Sequence, residues 1–275
     1  MRQFVSMEEA FEDIEKYAFQ HPIKTSTVPL PDAVGQVLAE PAVAQLSIPP
    51  FNNSARDGVV LSSTGIDAAK RGDTITLAGE LRAGDSIETA NGLSGMAARI
   101  MTGAPVPDWG AAVVMIEDIE FSDDTSFIVK AIPTRDAWIR PEGSDITSGL
   151  VILKPGCRIV SEHVQALASS GVVEVTVHVR PRVGVCSTGE ELVDISSGRP
   201  GSGQIYDSNR PFMNAVMQSF GCDVAVNEHV GDTLDEMVNF LKNAMEASID
   251  LLISSGAVSM GSYEFVKPAL EAIGA

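Results

Sequence analysis

Two short stretches near the end of the chain combine glycine with small hydroxyl side chains. Ser187-Thr188-Gly189-Glu190-Glu191 follows the apolar run Val183 to Cys186, and Ser254-Ser255-Gly256-Ala257-Val258-Ser259-Met260-Gly261 follows Leu251-Leu252-Ile253. Segments of this kind let an anion reach free backbone N–H groups, which is what holding a phosphate requires. Neither is a Walker A or a GxGxxG sequence, so the pattern alone slightly favours an ordinary turn after a strand over an anion loop. Glu190 and Glu191 follow the first expected strand, Asp207 precedes a helix, Asp232 follows the second strand and Glu264 comes just past the second stretch, so all five fall at the same end of the expected sheet. Mg2+ takes one or two carboxylates plus phosphate oxygens, so this set could hold a metal–phosphate complex. The competing reading is helix capping. For Asp232, just ahead of Thr233-Leu234-Asp235-Glu236, capping is the better reading taken alone.

Two further stretches carry polar groups on restrained backbone. Asn52-Asn53-Ser54-Ala55-Arg56-Asp57-Gly58 follows Pro49-Pro50 and is rich in donors, suited either to ordering a substrate or to tying two domains together. Thr102-Gly103-Ala104-Pro105-Val106-Pro107 is compact and rigid. Of the histidines, His21, His163 and His178 read as structural, while His229 is near enough in sequence to Asp232 to be a candidate for the same cleft. No Ser-His-Asp order can be read. Cys157, Cys186 and Cys222 form no CxxC pair and are odd in number, which points to buried free thiols rather than a disulfide framework or a zinc site.

The elements that must carry these residues follow from periodicity. Ser6 and Glu9 make a capping box for a helix from Ser6 to Tyr17, and a second short helix is expected over Ala33 to Ala39. From Gly58 to Ile132, short apolar runs alternate with Gly, Asp and Asn turns, the pattern of a small, barrel-like β domain. A helix over Ser161 to Ser169 ends before Gly171. After Arg180-Pro181-Arg182 the pattern becomes strand, helix, strand, helix. The strands are Val183 to Cys186, Val224 to Val226 and Leu251 to Ile253. The first helix is capped by Ser208 or Asn209 and buries Phe212, Met213, Val216, Met217 and Phe220. Such alternation predicts a parallel, doubly wound sheet, whose ligands bind beyond the carboxyl ends of the strands.

The expected fold class is therefore multi-domain α/β plus β. A helical connecting domain takes residues 1–46 with 140–178, a small β domain takes 47–139, and an α/β domain takes 179–275 and reads as incomplete. With 275 residues, 44% hydrophobic content and 20% charged content, the chain can bury several cores. A net charge of -18 repels phosphate backbones and anionic lipid, so neither nucleic acid nor a membrane is an expected partner. The first residues lack the apolar core of a signal peptide and no run of 18 apolar residues occurs, so a cytoplasmic location is expected.

Six blocks taken in order resemble the molybdopterin molybdenumtransferase family, the MoeA proteins and the E domain of gephyrin. They are Pro50 to Gly58, Arg99 to Pro107, Gly143-Ser144-Asp145-Ile146, Ser187 to Leu192, Gly203 to Arg210, and Ser254 to Gly261. The resemblance implies an elongated homodimer that takes adenylylated molybdopterin and molybdate, uses Mg2+, and releases AMP with the finished molybdenum cofactor. It implies a partner protein that adenylylates molybdopterin, and a cleft between the α/β domain of one subunit and loops of the other. By position, Asp57, Thr102, Asp145, Glu191 and Asp232 would be catalytic. Ser187, Thr188, Gly189, Ser254, Ser255, Gly256, Ser259 and Gly261 would bind the pterin phosphate. Asp232 and Glu264 would hold the metal.

Some positions depart from the family pattern. Ala257 stands where the second loop usually has glycine, and Ser144 and Ala111 stand where acidic residues are usual. Glu264 takes the place of an aspartate. The chain also ends before the family's Pro-Gly-Lys-Pro segment and C-terminal β domain, which reads as a C-terminal truncation that removes the basic half of the site. Two other readings stay open: a non-catalytic molybdopterin-binding or scaffold protein, and a nucleotide hydrolase built on the same α/β domain.

Overall fold

The computed structural model describes residues 5–256 and 265–274. They form two compact units, one collecting Met1–Val28, Gly35–Ala39 and Thr176–Ala275, the other Pro29–Val34 and Glu40–Val175. Among the described residues, no helix is long and apolar enough to cross a membrane.

The first unit opens with helix α1, Met7–Gln20. Ser6 Oγ accepts from Glu9 N at 3.1 Å while Glu9 Oε2 accepts from Ser6 N at 2.7 Å, the reciprocal cap its sequence predicts. None of its side chains is buried. The helix expected over Ala33 to Ala39 does not form. One 3-10 turn, Leu30–Ala33, follows Pro29, and Gly35 then reverses the chain at φ +82°.

The second unit is built on strand β1, Gly58–Ser62, every residue of which is buried. It pairs antiparallel with β2, Ala97–Ile100, and with β3, Gly110–Met115. Strand alternation sends Val59 and Leu61 into a core with Ile75, Ile119 and Phe127, and sends Val60 into another with Leu81, Ile100 and Val113. A separate antiparallel sheet joins Ile75–Thr76, Ser126–Val129 and Ile119–Phe121.

The expected barrel-like closure is absent. Both sheets are open, each with a two-residue strand at one margin, and closure would need each edge strand to find a partner. Helix α2, Ser63–Arg71, packs Ile66, Ala68 and Ala69 into the first core. Its sequence signals are plain: Ser62 Oγ accepts from Gly65 N, and Gly72 ends it in the left-handed conformation.

The α/β part of the first unit follows the predicted alternation. Strand β4, Arg182–Thr188, lies at the centre of a three-stranded parallel sheet. Helix α3, Asn209–Ser219, leads to β5, Asp223–Val230, on one side. Helix α4, Leu234–Glu246, leads to β6, Leu251–Ser255, on the other, and helix α5, Val266–Ala272, follows. The chain thus moves one way from β4 to β5 and back past β4 to β6. With right-handed crossovers this reversal puts α3 and α4 on opposite faces. Cys186, Val226 and Val230 pack with Met237, Phe240 and Leu241 of α4 and Ala269 of α5.

Helix α3 differs from expectation. Phe212 and Phe220 are both 67% exposed, and only Met213, Val216 and Met217 of the predicted face are half-buried. Three strands leave little sheet for a long helix to cover, so its two ends overhang. Cys186 is a buried free thiol, and burial, followed by the charge of Glu228, pushes it up to about 11, which leaves it inert. Cys157 and Cys222 are only half-buried.

Two substitutions test this packing. Phe127 is fully buried, so Phe127→Ala should cost about 3–5 kcal/mol in urea unfolding. A Cβ added at Gly58 would sit 1.8 Å from the Val114 carbonyl oxygen, so Gly58→Ala should cost about 3 kcal/mol by forcing two paired strands apart. A loss well under 1 kcal/mol in either variant would contradict the packing described.

Candidate functional site

The return past β4 creates a topological switch point between β4 and β6, where open α/β sheets leave a crevice for ligands. Both small-residue stretches begin there. Ser187 and Thr188 end β4, and Ser254 and Ser255 end β6, with Cys186 beside Ser254 and Ser187 beside Ser255 in register. Gly256 adopts φ +96°, and a Cβ on it would fall 2.4 Å from Thr188 Oγ1 and 2.8 Å from Thr188 O. Only glycine permits both this backbone conformation and this approach. The sheet therefore brings Ser187, Thr188, Gly189, Ser254, Ser255 and Gly256 together. Ser259, Gly261 and Glu264 lie outside the described residues.

The first loop is fixed by charge. Ser187 is fully buried and its Oγ donates to Asp207 Oδ2 at 2.5 Å. Asp207, 2% exposed, also accepts from Arg210 N at 3.1 Å and Arg210 Nε at 2.9 Å. The guanidinium continues to Asp194 through Nη2 and to Asn227 Oδ1 through Nη1, the latter at 3.4 Å. Burial pushes the Asp207 carboxyl up, but the Ser187 hydroxyl and the Arg210 amide and guanidinium outweigh it, leaving the group below its ordinary value. Asp194 is lowered to about 2 by the Ser196 hydroxyl and amide together with Arg210.

Among the described residues, no three metal-ligating side chains group together. Asp232 is not the cap of α4; Thr233 is, accepting from Glu236 N. Asp232 Oδ2 instead accepts from Glu190 N at 3.0 Å, so the carboxylate braces the first loop from the end of β5. The Glu191 carboxylate folds back over Gly189, where an added Cβ would meet its Oε2 at 2.7 Å.

The second unit carries the other three predicted residues. Asp57 Oδ1 accepts from Thr102 N at 2.7 Å and from Thr102 Oγ1 at 2.8 Å, joining two of the motif stretches. These two bonds, the amide first, hold the Asp57 carboxyl below its ordinary value. Asp145 Oδ2 accepts from Arg140 Nη2 at 2.6 Å, in an ion pair about half exposed on both sides.

Sequence reasoning missed Arg210, Asp194 and Asn209 as parts of the site. Ser208 and Asn209 were the expected caps of α3, yet Ser208 makes no side-chain cap bond, and Asp207 caps the helix through Arg210 N. Asn209 Nδ2 donates instead to Ser255 Oγ at 2.8 Å. The available signal was an acidic residue three positions before a basic one at a helix start.

Residues 5–171 match the family described as the MoeA N-terminal region (domain I and II), and residues 184–275 match a probable molybdopterin binding domain. A molybdopterin molybdenumtransferase of Haemophilus influenzae is 34% identical over 256 residues, covering 92% of this chain and 61% of its own length. One from Synechococcus elongatus is 32% identical, covering 93% and 64%. Molybdopterin molybdenumtransferase 2 of Mycobacterium tuberculosis is 38% identical, covering 88% and 60%. The chain thus spans about three fifths of the length of these relatives. A solved structure of a molybdopterin biosynthesis MoeA protein from Pyrococcus horikoshii shares the fold at a TM-score of 0.82 and 24% identity, covering 98% of this chain and 67% of that one. With more than half its residues in one family match and three named relatives above 30% identity, the chain belongs to the MoeA family.

Proposed function

We propose that this protein acts in molybdenum cofactor biosynthesis as a molybdopterin molybdenumtransferase, placing molybdenum from molybdate into adenylylated molybdopterin with release of AMP. The observation that carries this reading is the approach of Gly256 to Thr188 at the switch point, which gives one phosphate two small-residue loops. On this reading Ser187, Thr188, Gly189, Ser254, Ser255, Gly256, Ser259 and Gly261 take the phosphate-bearing end of the pterin. Asp57, Thr102, Asp145, Glu191 and Asp232 are the catalytic residues. The protein works as a cytoplasmic homodimer beside the enzyme that adenylylates molybdopterin, and its chain divides at about residues 46, 139 and 178.

Mg2+ fits the residues present. Asp232 commits one oxygen to the Glu190 amide, and among the described residues no group of three ligating side chains forms. Such a sparse donor set suits a cation that takes one or two carboxylates and fills its shell with water and phosphate oxygens. Asp232 and Glu264 would hold it, and it would neutralise charge on the phosphoanhydride. The chain's own residues then have distinct tasks. Backbone amides of the two loops face the anion, and Glu191 limits the space above Gly189. Thr102 donates to Asp57 twice and holds its carboxyl below the ordinary value, which extends its ionised range toward acid pH.

Incubation with adenylylated molybdopterin, Mg2+ and molybdate should release AMP, from this chain or from a longer protein containing it. Absence of AMP from both would sink the proposal, and pterin binding without turnover would instead favour a binding protein. Asp57→Ala and Asp232→Ala should each lower AMP release by about 100-fold, the effect expected when a positioned charge is lost, with the melting temperature little changed. Equal loss of activity and stability would make these residues structural. Thr102→Val removes one of two donors that favour the Asp57 anion, so the Asp57 carboxyl should rise toward its ordinary value. The acid limb of kcat/KM should then move to higher pH. A limb that stays in place would remove Asp57 from the titrating groups that matter.

A further inference from the structure

We propose that Asp207, Asn209 and Arg210 are positioning residues that fix the feet of both small-residue loops, and that the same network sets His229 as its Nδ1–H tautomer. Neither role belongs to a residue assigned to catalysis or ligand binding above.

The geometry of the first half is direct. The first loop leaves β4 at Ser187 and Thr188 and returns to a short strand, Leu192–Val193, which leads into Asp194. Arg210 reaches both ends, Ser187 through Asp207 and Asp194 by its own Nη2. The residue before it, Asn209, holds Ser255 at the foot of the second loop. Two consecutive residues at the start of α3 thus bind three loop ends. Arginine suits this position because its planar fork presents separate donors in fixed directions, which a lysine ammonium cannot reproduce.

The second half follows from counting protons. Ser187 Oγ has one proton and two neighbours, Asp207 Oδ2 at 2.5 Å and His229 Nδ1 at 3.2 Å. Asp207 accepts from Arg210 at both oxygens and acts as a carboxylate, so the hydroxyl proton must point toward it. The serine oxygen can then only accept from His229, which requires hydrogen on Nδ1. In the neutral ring Nε2 is left with a free lone pair on a residue exposed at the carboxyl end of β5. A histidine that the sequence merely places near Asp232 becomes a ring of defined tautomer, presenting an acceptor.

The ligand-related consequence rests on the proposed function; the tautomer does not. In the 15N-labelled 275-residue chain at neutral pH, a long-range 1H–15N spectrum should show the Nδ1–H form of His229, and Asp207→Asn should shift the population toward Nε2–H. An Nε2–H ring in the unsubstituted protein would overturn the proton assignment. Arg210→Lys should weaken molybdopterin binding by tenfold or more, with far-UV circular dichroism unchanged. Unchanged affinity would overturn the positioning role. Should the unsubstituted chain fail to bind molybdopterin, the functional reading fails, and amide exchange still decides this inference. Gly189, Glu190 and Gly256 should exchange at least tenfold faster in Arg210→Lys, and equal rates would overturn it.

Discussion

A single guanidinium holds together the part of the molecule on which the functional reading depends. Arg210 is only 14% exposed, and Asp207 beneath it 2%. Taking such charges out of water is expensive, and the expense is tolerable only when every donor and acceptor has a partner. Here the carboxylate has three donors, and the guanidinium reaches two carboxylates and an amide oxygen. Charge-assisted bonds of this kind are short and directional, so they specify one arrangement of the surrounding loops as well as stabilising it. The network is satisfied inside the first unit, where it joins the strand-end segments around β4.

The topology makes that concentration useful. In a sheet ordered β5, β4, β6, the middle strand carries both neighbours in parallel, and its carboxyl end lies at the switch point. A loop there is bounded by two others. The Thr188 to Glu191 segment is braced by Asp232 from the end of β5 and approached by Gly256 from the end of β6. Small side chains are required because the two loops come too close for anything larger. Helix α3 then serves mainly to present Asn209 and Arg210, which accounts for a helix that buries none of its residues yet starts in a dense hydrogen-bond network.

Much of this was legible in the sequence because the signals were local. The capping box at Ser6 marks its helix, and the alternation after Arg182 predicts the parallel sheet. What escaped was decided by distant partners. Asp57 meets Thr102 across 45 residues and Glu190 meets Asp232 across 42, and no periodicity records either contact. Reading Asp232 as a cap failed because it is recruited by the neighbouring loop. The barrel-like reading failed for a different reason. Alternating apolar runs report strands but not whether edges join, and Ser62 and Gly72 bounded a helix whose signals were overlooked. Phe212 and Phe220 fit a buried helical stripe by spacing, but spacing does not say how wide a sheet lies beneath.

The central claim is that the carboxyl ends of β4 and β6 form one phosphate-accepting site. Backbone amide shifts of the 15N-labelled chain, followed during titration with adenylylated molybdopterin, test it most directly. The account predicts that the largest and saturable changes fall on Ser187 to Glu191 and Ser254 to Gly256, with much smaller ones in the sheet interior. Saturable binding that leaves both of these segments unmoved would contradict it.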